Sequence, residues 1–343
     1  MWARIEATMA KQVRHVRPVA RSAADPASQR VIAQIERDFG AFVPPFALHA
    51  PAPALLAASW MMLRESLVPR HVDRIRKEAV ASAVSRANAC TYCVDAHTVA
   101  LHALGDSATA DALTGVGAPD AALAPLLAWA AATRSADDPR LGTPPFTAAE
   151  MPEIVGIVLG FHYINRMVTI FLTASPMPFA SPRLKSWTRR MLGPIVGPQL
   201  QRALAPGDSL AFLPDASLPP DLAWSAAHTT LAAALTRAAA AFDAAGAAAL
   251  PASVRALVRT RLADWRGEAP PLDRRWLEDA TAPLDSAERP VARLALLTAF
   301  APERVDDGVI ADFRGEHADD ATLVGATAWA SFTTARTIAA WLS

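Results

Sequence analysis

No stretch of this chain alternates β-branched with polar residues for long enough to build a strand, and alanine runs through almost every segment. Alanine loses no side-chain entropy in a helix, so a chain of this texture is driven toward an all-α fold. Proline and glycine set the stops, at Pro44-Pro45, Pro69, Gly105, Gly115 to Pro119 and Pro144-Pro145. Between them the pattern predicts helices over 27–39, 53–66, 72–87, 90–104, 120–134 and 148–172. Further helices are predicted over 222–245, 252–265, 286–300, 302–313 and 319–342. The run 151–172 approaches membrane-span length, but it carries Glu153, His162, Asn165 and Arg166. Lipid-facing spans rarely hold such a set, so it reads as one long buried helix of a soluble protein.

A length of 343 residues suggests about two domains, and 52% apolar content is ample for a core. Residues 1–20 form a basic arm with Arg4, Lys11, Arg14 and Arg17, expected to pack on the body or on a neighbouring subunit. No apolar core follows it, so a secretory signal is not expected. Residues 21–174 form a first helical domain. Residues 175–220 are rich in proline yet too apolar for a free tether (Trp187, Leu192, Ile195, Phe212), and read as a packed connector with one short helix near 184–192.

Residues 221–343 echo the first domain. Leu126-Leu127 is matched by Leu296-Leu297, and Val155-Gly156 by Val324-Gly325, at nearly the same separation. This suggests a degenerate internal repeat. No Cys or His occurs between Thr229 and Glu316, so the second copy would be chemically silent and would cover, or pair with, the first.

The formal net charge is zero, which gives no reason to expect a nucleic acid or an anionic membrane as partner. The chain has two cysteines, Cys90 and Cys93, three residues apart. With none left over for a structural framework, the pair fits a reducing cytoplasm, where Cys-x-x-Cys is usually catalytic or metal-binding.

Glu78 precedes Cys90 by twelve residues, and His97 follows Cys93 by four. On a helix Cys90, Cys93 and His97 share one face. If Asn88-Ala89 ends the preceding helix, both cysteines enter the first turn of the next, where the partial positive charge lowers a thiol pKa. Glu78 reaches them only if its own helix folds back. Helix-terminus logic favours the first cysteine as nucleophile; the i, i+4 spacing to His97 favours Cys93.

The run Glu78-Ala79-Val80 … Asn88-Ala89-Cys90-Thr91-Tyr92-Cys93-Val94-Asp95-Ala96-His97, ending at Gly105, resembles the core motif of the alkylhydroperoxidase D and carboxymuconolactone decarboxylase superfamily. It is most similar to the peroxidase-related branch, Glu-x11-Cys-x-x-Cys-x3-His. The likeness is residue by residue over about 72–105 and extends in pattern over about 39–172. It implies an alkylhydroperoxidase D-like helical bundle and a thiol peroxidase needing no cofactor and no metal. Cys93 would attack the peroxide, Cys90 would resolve the sulfenic acid as a disulfide, and His97 and Glu78 would relay protons. The implied partners are hydrogen peroxide or an organic hydroperoxide and a small dithiol or redox-protein reductant. The implied assembly is a homo-oligomer, dimer or trimer.

Three other readings use the same residues. A disulfide reductase or redox sensor keeps the dithiol without peroxide turnover. A zinc site would recruit Cys90, Cys93, His97 and Glu78, although structural zinc usually draws on two separated pairs. A lactone decarboxylase would follow the other branch of the superfamily, which typically lacks the cysteine pair. Tyr92, between the cysteines, either lines the peroxide pocket or packs. His162, Asn165 and Arg166, at i, i+3 and i+4, either shape a substrate pocket or form a structural network, and buried polar groups favour the network. Asp95 reads as a solvated or helix N-terminal charge facing away from the cysteines, and His102 as a surface or packing residue.

Overall fold

The computed structural model describes residues 11–68, 70–177, 182–316 and 319–342. Among them every regular element is helical, and the only extended pairing is a single bridge between Val13 and Leu172. The all-α expectation is met.

Local chemistry sets the boundaries. The first helix, α1 (Pro26–Phe39), begins at Asp25, whose carboxylate accepts hydrogen bonds from the N–H groups of Ala27 and Ser28, and ends at Gly40 with φ +84°. A single turn, α2 (Pro44–Ala47), precedes α3 (Pro53–Leu67). Asp73 caps α4 (Arg74–Ala87) through the Arg76 N–H. Then come α5 (Thr91–Ala103), α6 (Ser107–Leu113) capped by Asp106, α7 (Ala124–Ala132) and the long α8 (Met151–Phe171). In the second half α10 (Thr229–Ala249), α11 (Ala252–Ala263), α12 (Arg275–Thr281), α13 (Arg289–Phe300), α14 (Asp307–Glu316) and α15 (Asp320–Ala340) follow the connector helix α9 (Pro182–Leu200).

The differences from expectation have local causes. Helices α2, α6 and α12 are two turns or shorter, too brief for a periodic signal. The helix expected from 222 starts at Thr229, because the His228 imidazole caps it by accepting the Leu231 N–H at 3.2 Å. The connector holds the nineteen-residue α9 rather than a short helix near 184–192. Gly197 serves close packing: a Cβ there would meet the Ala103 carbonyl oxygen of α5 at 3.1 Å.

The centre of the molecule is α8, buried along almost its whole length. By length and composition it could cross a membrane; here it is wrapped by protein. It packs on α15, while α3 packs on α10. Gly156 of α8 lies against Ser66 at the end of α3, and Gly325 of α15 against Ala245 and Ala249 at the end of α10. Residues 11–17 of the arm lie across both halves: Arg14 N–H donates to Phe171 O, Arg17 N–H to Asp320, and His15 O accepts from Arg314. Residues 1–10 lie outside the described residues.

Candidate active site

The turn between α4 and α5 creates the site. Asn88 ends α4, and Ala89 takes a left-handed conformation, φ +54°, that L-residues other than glycine seldom adopt. That turn folds α5 back along α4. Cys90 becomes the N-cap residue of α5, Cys93 lies in its first turn, and His97 comes one turn later. Glu78, three turns back on α4, now faces α5.

All four motif residues meet. Glu78 is buried, and each of its oxygens has a partner. Arg74 Nε donates to Oε1 at 2.7 Å, and His97 Nδ1 donates to Oε2 at 2.5 Å. Burial alone would raise the Glu78 pKa. The charge of Arg74, the charge of His97 and their hydrogen bonds outweigh it and take the carboxyl down to about 2. The anion therefore holds the Nδ1–H and with it the orientation of the ring, turning Nε2 away from Glu78. The His97 ring is braced edge-on against Phe161, with centroids 4.7 Å apart.

The two sulfurs are reduced, buried and 3.0 Å apart. A disulfide needs about 2.05 Å, so closing it takes a shift of about 1 Å. Their surroundings differ. Burial would push both thiols up. At Cys90 the Cys93 thiol and N–H, the Thr169 hydroxyl and the Asn165 amide reverse that and hold the pKa below the ordinary thiol value. At Cys93 burial is reinforced by the negative Cys90 beside it, and the thiol stays well above its ordinary value. Of the two, Cys90 is therefore the more acidic thiol. The resemblance assigns the attack to the other sulfur, Cys93. No hydrogen bond joins His97 to either sulfur, so the dyad and the dithiol are neighbours rather than a closed chain.

A second network lies behind the cysteines on α8. Asn88 Nδ2 donates to His162 Nδ1 at 3.1 Å and to Asn165 Oδ1 at 3.0 Å. His162 Nε2 then donates to Thr133 Oγ1 at 3.0 Å, and Asn165 Nδ2 to Ser85 Oγ at 3.0 Å. Burial, with the charges of Arg166 and Arg134, keeps His162 neutral. Both its nitrogens are engaged, so it is a structural member of the network. Asn165 is fixed by the same bonds with its amide facing the dithiol. Sequence reasoning passed over Ser85, Asn88 and Thr169 because nothing in their spacing marks them; each matters only where α4, α5 and α8 converge.

Tyr92 does not line the dithiol with its hydroxyl, which donates to Gln12 of the arm at 2.9 Å. Asp95, also buried rather than at the surface, accepts from Ser175 Oγ at 2.5 Å. Beside Glu78, Lys77 forms a buried pair with Glu153 at 2.5 Å and donates to Ser66 O and Val68 O. Desolvation lowers its pKa to about 8, against the pull of Glu153. Because both Glu78 oxygens are taken, that carboxylate is not free for a metal. Among the described residues no three His, Cys, Asp or Glu converge as a metal-holding group.

Residues 54–138, from α3 to beyond α7, match the Carboxymuconolactone decarboxylase family. Over 334 residues the chain is 39% identical to the alkyl hydroperoxide reductase Rv2159c of Mycobacterium tuberculosis, covering 97% of this chain and 95% of that protein. The similarity therefore spans the second half as well as the motif. The four motif residues meet in one site on an all-helical scaffold, and the chain belongs to the alkylhydroperoxidase D and carboxymuconolactone decarboxylase superfamily.

Proposed function

We propose that the protein is a thiol-dependent peroxidase that reduces hydrogen peroxide or organic hydroperoxides through a Cys90–Cys93 dithiol/disulfide cycle. The observation that carries the reading is the pair of reduced sulfurs at 3.0 Å, beside a Glu78–His97 dyad. The name of the relative, an alkyl hydroperoxide reductase, supports the same chemistry.

In this cycle the Cys90 thiolate attacks the terminal oxygen of ROOH. The S–O bond forms, the O–O bond breaks, and the departing alkoxide takes a proton to become ROH. The Cys93 thiol then displaces hydroxide from the Cys90 sulfenic acid, giving the disulfide and water. The dithiol supplies the two electrons, and an external dithiol or redox protein restores them by thiol exchange. His97 Nε2, oriented by Glu78, moves protons between solvent and the sulfurs. Asn165 and Thr169 stabilise the thiolate. We place the enzyme in the cytoplasm as a homo-oligomer, in keeping with a dithiol that must be kept reduced.

The test is a free-thiol count and intact mass of the reduced protein after one equivalent of an organic hydroperoxide. The expected result is rapid loss of both thiols with a mass decrease of about two daltons. A sulfenic acid trapped in Cys93→Ser and not in Cys90→Ser assigns the attack to Cys90; the reverse returns it to Cys93. Survival of both thiols refutes the peroxidase reading and favours thiol exchange.

A further inference from the structure

Helix α9 joins the two halves and packs on α5, the helix that carries the dithiol. The chain leading toward it is tied to the start of α5, where Thr91 Oγ1 donates to Ala174 O and Ser175 Oγ donates to Asp95. Near its other end Gly197 lies against Ala103 O. One side of the helix is thus fixed on the protein.

Another side faces water with three large apolar side chains. Leu184 is 39% exposed, Trp187 60% and Met191 55%. At i, i+3 and i+7 they share one helix face and form a stripe. The other exposed large apolar residues among those described, Val116, Leu218 and Leu272, fall in three separate loops. Single exposed apolar residues are ordinary; a contiguous stripe marks an interaction surface.

The charge of the helix selects the partner. A net charge of zero over the whole chain conceals an uneven distribution. No acidic residue occurs between Glu153 and Asp208, and α9 alone contains Arg183, Lys185, Arg189 and Arg190. A helix is about 10 Å across, close to the Debye length in physiological salt, so all four cations act on any surface along which α9 lies. A second copy docked face to face through the same helix would set cation against cation. An anionic lipid surface is attracted by the charge and accepts the stripe. Tryptophan, with an apolar ring and one N–H, is suited to headgroup level, and leucine and methionine to the acyl boundary just below it.

We propose that α9 is an interfacial helix that docks the protein on an anionic phospholipid membrane, with Leu184, Trp187 and Met191 entering the headgroup boundary and the cations of the same helix attracted to the lipid phosphates. Docking in this way brings α5, packed directly on α9, to the membrane side of the molecule. The proposal goes beyond the peroxidase reading and does not depend on it.

The test is flotation of the full chain with vesicles of phosphatidylcholine alone and of phosphatidylcholine mixed with phosphatidylglycerol, at low and at high salt. We expect association with the mixed vesicles, none with phosphatidylcholine alone, and weakening as salt rises. Trp187→Ser combined with Met191→Ser should reduce association about tenfold or more, and so should Arg189→Glu combined with Arg190→Glu. Trp187 and Met191 are exposed, so the first double variant should keep its fold, which an unchanged thermal melt checks. Failure to bind the mixed vesicles, or equal binding by wild type and both double variants, overturns the proposal. Two other occupants have their own signatures, and either one also overturns it. If the Trp187→Ser, Met191→Ser variant sediments as a smaller oligomer than wild type, the stripe is a subunit interface. If the wild type binds polyglutamate and no vesicle, the surface serves an acidic protein.

Discussion

Helices α8 and α15 are both twenty-one residues long, both buried and packed on each other; Arg336 at the rim of α15 reaches Asp221 and Asp243, yet the fully buried polar residues of the two helices behave in opposite ways. On α15 the hydroxyls of Thr327 and Thr334 donate to carbonyls of their own helix, one turn back, and Ser331 reaches only Met167 Sδ. On α8 the polar side chains bond outward. Glu153 goes to Lys77 and the 71–72 backbone, His162 to Asn88 and Thr133, Asn165 to Ser85, and Arg166 to Ala299 O. A side chain that satisfies itself on its own helix allows packing and nothing more. One that needs partners from other helices fixes those helices and leaves directed groups at their junction. The first half is built around a site; the second half is built around apolar contact.

The sharpest way to break that contrast is at the dithiol. Cys90→Ser and Cys93→Ser should each abolish peroxide turnover, by about 10³-fold or more, because the nucleophile or its resolving partner is gone. Stopped-flow turnover of an organic hydroperoxide checks this. No single substitution on α15 that leaves the fold intact should come close.

The next contrast is in stability. Glu78→Gln leaves Arg74 nearly buried without its counter-charge and should cost about 3–5 kcal/mol in urea unfolding, with activity falling as well. Thr327→Val removes a self-satisfied hydroxyl and should cost about 1 kcal/mol or less. Equal costs would mean that the halves do not differ as described. Close packing in the silent half has its own weak point: Gly246→Ala would put a Cβ 2.1 Å from Trp329, against 3.0 Å from the flexible Leu231 tip for Gly156→Ala in α8. We expect about 3 kcal/mol or more for the first and about 1 kcal/mol for the second.

The pH dependence should separate the halves again. The folded Glu78 pKa, about 2, lies below its ordinary value of 4.5. Its stabilisation is therefore fully present above about pH 4.5 and is lost as pH falls from there toward 2, amounting to about 3 kcal/mol. In Glu78→Gln that part of the acid transition should disappear from the stability–pH profile. The smallest effect is expected at the turn: Ala89→Gly relieves a left-handed alanine and should raise stability by about 1 kcal/mol or less, with the dithiol chemistry unchanged.

Much of this was legible in the residues. Alanine-rich texture gave the fold class, because helix propensity accumulates over long segments, and the longer predicted helices lie within a few residues of those observed. The spacing of Cys90, Cys93 and His97 placed them on one helix face, because helical period is a local property. The α9 helix was harder to see, since Gly193, Pro194, Gly197 and Pro198 all argue against helix, and packing on α5 overrides them. Tyr92 and Asp95 were misread or left open because their partners, Gln12 and Ser175, are about eighty residues away.

The sequence by itself determined a helical chain, a dithiol at a helix start and a histidine one turn beyond it, all consequences of short-range spacing. Tertiary structure alone decided that Glu78 meets His97, that Asn165 reaches both sulfurs while Thr169 reaches Cys90, and that Arg166 opens onto a cavity shared with the second half. Those are contacts between helices distant in sequence, and they depend on burial and on the field of neighbouring charges, which no local pattern encodes.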